Sequence, residues 1–231
     1  MRNLFFILLL LISARLFAQE NKPETEPEVK PEANWYASLS GAVIPFPQWD
    51  LGIQPGIGYR LNHRVSLLAE ATIRIGNKNS PKSEAFNKKY FRVQPELRYQ
   101  LESKKKGRTM YAGLRLSYSI RKFTDVNGFY SNNSAGDQGF FYDKADINSP
   151  VFTSSLQFGS LFSVGKKLSL DVFAGTGARF INTTFANVIN PISGRRVKED
   201  GPSIYASYTY EGSIVRLQFN TGLRLIYHFR P

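Results

Sequence analysis

The sequence predicts an all-β protein: a transmembrane, antiparallel, up-and-down β-barrel of eight strands. Three observations carry that expectation. Side-chain character alternates with a period of two through eight segments, most of them about eleven to fifteen residues long. One face of every segment carries no charge, whereas the other collects arginine and carboxylate. Tight and long connections alternate along the chain.

The segments begin after an N-terminal region of different character. MRNLFFILLLLISARLFAQ has a basic start, an apolar stretch from Leu4 to Ile12 and a small-residue exit at Ala18. It reads as a signal peptide over residues 1–19, too short and too poorly flanked for a spanning helix. Residues 20–34, ENKPETEPEVKPEAN, alternate proline and glutamate with almost nothing apolar and read as an extended periplasmic spacer. Residues 35–231 then form the barrel. Zero cysteines exclude disulfides, thiolate metal sites and cysteine nucleophiles.

The eight expected strands are 35–44, 50–61, 64–75, 90–101, 109–121, 151–163, 167–181 and 213–230. The charge-free face starts with Trp35, Ala37, Leu39, Gly41 and Val43. It continues through Leu51, Ile53 and Ile57, then Val65, Leu67 and Ile73, then Phe91, Val93 and Leu97. Met110, Leu114, Leu116 and Tyr118 follow, then Phe152, Leu156, Phe158 and Phe162, then Leu168, Leu170, Val172 and Phe180, then Val215 through Phe229. That makes about fifty positions without a charge, where the chain-wide 21% would place about ten. A soluble barrel hides its apolar face inside. Here the empty face meets lipid, because a charge at the bilayer midplane costs about 2–4 kcal/mol in such a barrel. The strand length agrees, since a tilted strand needs about 9–11 residues to cross the hydrocarbon. In lipid every backbone N–H must be paired, so the sheet has to close.

The opposite face carries Glu70, Glu96, Arg98, Arg115, Asp171 and Arg224 at similar depth. They are expected to form a lumen salt-bridge cluster. Eight strands leave room for side chains and little else, so the cluster reads as a plug, with a constricted pore as the alternative. Aromatic residues fall at strand ends: Trp35, Tyr59, Tyr99, Phe162, Tyr227 and Phe229 are expected to form the periplasmic aromatic girdle. The even connections are short and three of the four odd ones are long, which puts both termini in the periplasm. Pro55 and Pro95 sit mid-strand, where a bulge would relieve the missing N–H.

The formal charge is +12 for the chain and becomes +13 for the barrel once the signal (+2) and the spacer (−3) are removed. A secretory signal argues against nucleic acid as the partner. The acids of loop 122–150 match no calcium-loop spacing and read as a solvated loop. His63 and His228 both lie at the periplasmic end, out of reach of the outer leaflet. No catalytic residue, metal site or cofactor is expected.

GYRLNHRVSLLAEATIRIG (58–76), FRVQPELRYQL (91–101), RTMYAGLRLSYSI (108–120) and the aromatic last strand resemble the small outer-membrane β-barrel proteins of the porin-family or OmpA/OmpX type. The resemblance covers most of residues 35–230. It implies the outer membrane of a Gram-negative bacterium, contact with outer-membrane lipid and lipopolysaccharide, and insertion by the outer-membrane assembly machinery. Loops 122–150 and 182–212, rich in Phe129, Tyr130, Phe140, Phe141, Tyr142, Tyr205, Tyr208 and Tyr210, are the expected site for a protein partner. A narrow pore or transporter, and more remotely a lipid-modifying enzyme, are the competing functions.

Overall fold

The computed structural model describes residues 35–45, 49–75, 85–101, 108–131, 138–195 and 209–229. The expected signal peptide and spacer lie outside the described residues, as do Tyr205, Tyr208 and the tips of several connections.

Ten strands follow one another along the chain: β1 (Trp35–Pro45), β2 (Trp49–Arg60), β3 (Val65–Arg74), β4 (Ala85–Leu101), β5 (Arg108–Tyr130), β6 (Gln138–Asn148), β7 (Val151–Ser163), β8 (Leu168–Ile189), β9 (Ile192–Arg195) and β10 (Gly212–His228). All named strand pairs are antiparallel. Eight of the strands close a ring in the order β1-β2-β3-β4-β5-β7-β8-β10, and β10 returns to β1. These are the eight segments that the alternation marks. Closure pairs Tyr36–Ser40 of β1 with Arg224–His228 of β10, a seam that an open sheet would leave unpaired.

Burial is the inverse of that in a soluble protein. Phe219 is 79% exposed and Leu217 78%, whereas Arg224 is 1% and Asp171 0% exposed. The interior is packed with Ser38, Gln54, Ser66, Thr72, Gln94, Ser155 and Gln157, all buried.

The prolines need no bulge. The β2–β3 register is the same before and after Pro55, as is the β4–β5 register across Pro95. The ladder simply omits Gln54–Pro55 on the β3 side and Gln94–Pro95 on the β5 side. An antiparallel residue directs its N–H and C=O to one neighbour, so proline breaks the ladder on one side only.

Among the described residues, the two longest connections are mostly sheet. β5 continues nine residues past Arg121. There it pairs with β6, from Lys122↔Asn148 to Tyr130↔Phe140. β6 also pairs with β8 and β9, so β6 and β7 act as one descending stave broken at Ser149–Pro150. β8 and β9 likewise form one ascending stave broken at Asn190–Pro191. A three-stave tongue therefore extends the wall beyond the ring by about 25–30 Å along the strand. Arg121 spans the first break, its Nε donating to the Ser149 carbonyl at 2.8 Å and its Nη2 to Ser149 Oγ at 2.7 Å. Asn187 and Asn190 hold φ of 52° and 51° where β8 leaves the regular ladder. Asparagine tolerates that left-handed conformation better than most residues.

Three lumen aromatics lie over glycines on neighbouring strands: Tyr36 over Gly58, Tyr111 over Gly159 and Phe173 over Gly222. A Cβ on Gly159 would stand 2.4 Å from the Tyr111 ring. Gly159→Ala is expected to lower stability by about 1–3 kcal/mol through overpacking. Tyr111→Phe, which keeps the ring and loses the hydroxyl's hydrogen bonds to the Asp171 carboxylate, should cost a similar ~1.5–3 kcal/mol. Urea midpoints of the two refolded variants check both values.

Candidate functional site

The lumen cluster is assembled from five staves. Glu70 comes from β3, Glu96 and Arg98 from β4, Arg115 from β5, Asp171 from β8 and Arg224 from β10. Each occupies an inward position because the alternation of its strand puts it there. The short turn between β4 and β5 fixes Glu96 directly opposite Arg115, and β8–β10 pairing fixes Asp171 opposite Arg224.

The structure brings all six side chains together. Arg224 is the hub. Its Nε lies 2.7 Å from Glu70 Oε1 and its Nη2 2.9 Å from Glu70 Oε2, a bidentate pair. Its Nη1 reaches Asp171 Oδ2 at 2.5 Å and its Nη2 reaches Glu96 Oε2 at 3.5 Å. Arg98 bridges Glu96 (2.7 Å) and Asp171 (3.0 Å). Arg115 reaches Glu96 Oε2 through Nε at 2.9 Å and Nη2 at 2.5 Å. Three arginines thus face three carboxylates and the cluster is neutral. Only arginine offers a planar fork that can hold two carboxylates in fixed directions, which is why no lysine stands here.

Further residues complete the cluster. Ser38 Oγ and Gln94 Nε2 donate to Glu70 at 3.2 and 3.1 Å, and Tyr111 Oη donates to Asp171 at 3.1 Å. The Phe173 ring packs against the Arg115 and Arg224 guanidinium groups, each 4.6 Å from its centroid. Tyr111 does the same for Arg98 at 4.5 Å. Sequence reasoning overlooked Phe173, Tyr111 and Gln94 because their type says little about depth. The inward glycines Gly159 and Gly222, each facing an aromatic across a strand pair, are the signal that could have found Tyr111 and Phe173.

A second group crosses the lumen nearer the tongue. Ile44, Phe123 and Ile147 are buried together, with Tyr90 and Phe185 against them. β1 and β5 lie four staves apart in the eight-membered ring, so contact between Ile44 and Phe123 spans its full width.

The tongue aromatics largely pack on one another. Phe129 and Tyr142 are buried, Tyr130 stacks on Phe185 at 4.5 Å, and Phe129 meets Phe141 at 4.9 Å. Phe129 and Tyr142 therefore serve the sheet and are withdrawn from contact with a partner. Among the described residues the large apolar side chains exposed there are Phe141, Ile189 and Ile192. Asp146 accepts from Asn187 Nδ2 and Thr124 Oγ1, both at 2.7 Å. These hydrogen bonds hold its carboxyl below the ordinary 3.8. A depressed carboxylate stabilises the fold above its unfolded value and loses that contribution as pH falls. Hydrogen exchange in 122–130 and 184–189 is therefore expected to quicken below about pH 4, and Asp146→Asn should flatten that dependence.

At the other end, Trp35, Tyr59, Tyr99, Phe162, Tyr227 and Phe229 all point outward and are exposed. Trp35 and Tyr59 are register partners with ring centroids 4.8 Å apart, and Tyr227 meets Phe229 edge-on at 5.8 Å. His63 lies in the β2–β3 turn, and His228 Nε2 pairs with Ser169 Oγ at 3.0 Å.

No family model and no curated protein matches this chain. Among solved structures, Neisserial surface protein A is similar over 84% of this chain and 94% of its own, at 15% identity and a TM-score of 0.37. CarO of Acinetobacter baumannii is similar over 86% of this chain and 98% of its own, at 12% identity and a TM-score of 0.40. Likeness at that level transfers no function, and the barrel assignment stands on the strand pairing itself.

Proposed function

We propose that this chain is a non-enzymatic integral protein of the Gram-negative outer membrane. Its eight-stranded barrel is a plugged scaffold with both termini periplasmic, and the tongue built from 122–150 and 182–195 is held outside for contact with another macromolecule. The observation that carries this reading is the inverted burial: exposed belt residues such as Leu217, Phe219 and Phe158, against a neutral ionic cluster buried at the centre. Lipid is the solvent that tolerates the first, and a sealed interior is the place for the second.

The buried acids support a structural role. Each carboxylate of the cluster is already engaged by at least one arginine, so none is held ready as a general base. The outward Trp and Tyr rings at the short-turn end fit the headgroup level, where lipid and lipopolysaccharide would meet the wall. The last strand, ending in Tyr227–Phe229, fits recognition by the assembly machinery. The surface offered to a protein partner is Phe141, Ile189 and Ile192 on the tongue.

Planar-bilayer recording tests the plug. The purified full chain is expected to give no stable openings. Stable openings whose size changes in Arg115→Ala would replace the plug with a conducting path. Phe141→Ser with Ile192→Ser should abolish partner capture on intact cells without altering heat-modifiable gel mobility.

A further inference from the structure

Beyond the plug, toward the tongue, the wall of the ring is incomplete among the described residues. The pairing of β1 with β10 ends at Ser40↔Arg224 after five residues, against sixteen between β10 and β8. Yet β1 runs on to Pro45 and β10 reaches back to Gly212. Among the described residues no strand pairs with either edge over those lengths. A cavity of about 600 Å³ lies at this gap, and it is bordered by β1 from Ser40 to Ile44 and β10 from Gln218 to Leu223. Inward Ala42 and outward Val43 both line it, as do inward Asn220 and outward Phe219. Residues of both faces line one space only where that space passes between the strands. The opening is thus lateral. Across the lumen above the cavity lies the Ile44–Phe123–Ile147 cluster, and below it lies the ionic plug, whose Arg115 and Phe173 form part of the lining.

The cavity is cationic. Arg92, Arg115, Arg121 and Arg179 line it, and no carboxylate does so among the described residues. Arg115 is engaged by Glu96. Arg92 donates to Thr72 Oγ1 at 3.1 Å and meets no acid among the described residues. Arg179 stands directly opposite Arg216 in the β8–β10 register, and its buried Nε has no acceptor among the described residues. Asn220 Oδ1 is likewise buried without a donor among them. Like charges opposite one another in a ladder are destabilising unless an anion lies between or above them. The edges unpaired among the described residues have the same need, because bare backbone N–H and C=O groups facing hydrocarbon are strongly destabilising.

We propose that the upper lumen binds the phosphate or carboxylate head of an acyl-chain amphiphile, whose chain leaves sideways between β1 and β10 into the membrane. Arg92, Arg179 and Arg216 would hold the head, since guanidinium forks match such oxyanions. Gly41, with open space around the place where a Cβ would stand, keeps the slot clear for the chain. This inference rests on the membrane reading above but not on the tongue or on conductance.

The test is photo-crosslinking of the purified full chain, in a neutral sugar detergent, with 16-carbon lysophosphatidic acid carrying a diazirine near the chain end. Adducts are expected on 41–44 and 219–223, with binding at least tenfold tighter than for the chain-matched monoacylglycerol. Inorganic phosphate should compete at least a hundredfold more weakly than the amphiphile. Arg179→Gln with Arg216→Gln should lose at least tenfold, measured on the species that retains heat-modifiable mobility. Arg216→Gln alone, at an exposed position, should lose part of that. Adducts spread evenly around the belt at Leu156 and Phe158 would mean ordinary annular lipid and overturn the proposal. Equal binding of the neutral lipid, unchanged binding in both variants, or phosphate binding as tightly as the amphiphile would overturn it too. A protein that is soluble without detergent would sink the membrane reading itself, whereas a folded barrel without slot adducts would sink this inference alone.

Discussion

Replacing Arg224 with methionine is expected to destabilise the barrel by about 3–5 kcal/mol, the cost of breaking a buried ion pair by removing one partner. Among the described residues Arg224 is the only cation paired to Glu70; the other groups that reach that carboxylate are Ser38 and Gln94. Asp171 keeps Arg98 and Tyr111, and Glu96 keeps Arg98 and Arg115. The damage in Arg224→Met therefore falls first on Glu70, which is 4% exposed and left without a counter-charge. Adding Glu70→Leu removes that orphan, and the double variant is expected to recover a large part of the loss. Replacing both members of a buried pair with apolar groups is often close to neutral. The chain's two tryptophans report unfolding, so urea titration of protein refolded into vesicles gives both values. A double variant less stable than Arg224→Met, or an Arg224→Met as stable as the parent, would show that the six groups do not act as one network.

Phe158→Arg should cost about 2–4 kcal/mol from charge transfer alone, because Phe158 faces outward at mid-strand with 62% of its surface exposed. The sign of this result depends on the surrounding solvent. A surface substitution in water usually lies within about 0.5 kcal/mol of neutral. Against lipid, the guanidinium has no counter-charge on the wall and must snorkel toward an interface. Ser163→Arg, at the end of the same strand near the turn, should cost about 0–1 kcal/mol, since the penalty falls away at the interfaces. Folding yield into vesicles and urea midpoints of the two variants measure the gradient. Equal, near-zero costs at both positions would mean that the outward face is wetted by water.

These two substitutions probe what the sequence made legible from different directions. The belt at Phe158 was legible because lipid excludes charge from every second position, and a missing residue class over many strands is a strong statistical mark. The six members of the ionic cluster were legible by the complementary rule: ionisable side chains on a lipid-spanning strand are expected to point inward, and short connections fix their depth. The tongue was not. Lys122, Asp125, Asp143 and Lys144 interrupt the alternation there, as they do in a solvated loop, since beyond the membrane both faces of a strand can meet water. Phe129 and Tyr142 read as contact side chains until β5–β6 pairing buried them. Pro55 and Pro95 read as signs of a bulge, because a sequence does not show which neighbour a strand residue addresses.

By itself, then, the sequence determined the eight staves, which face of each turns outward and which ionisable groups enter the lumen. Each of these follows from a period of two and the price of a charge in hydrocarbon, both local to one strand. Only the tertiary structure decided which arginine holds which carboxylate, that Phe173 lies between two guanidinium groups, that two long connections rise as sheet, and that β1 and β10 part above Arg224. Those outcomes depend on register and closure, which couple residues as far apart as Glu70 and Arg224, and no pattern within a single strand encodes that pairing.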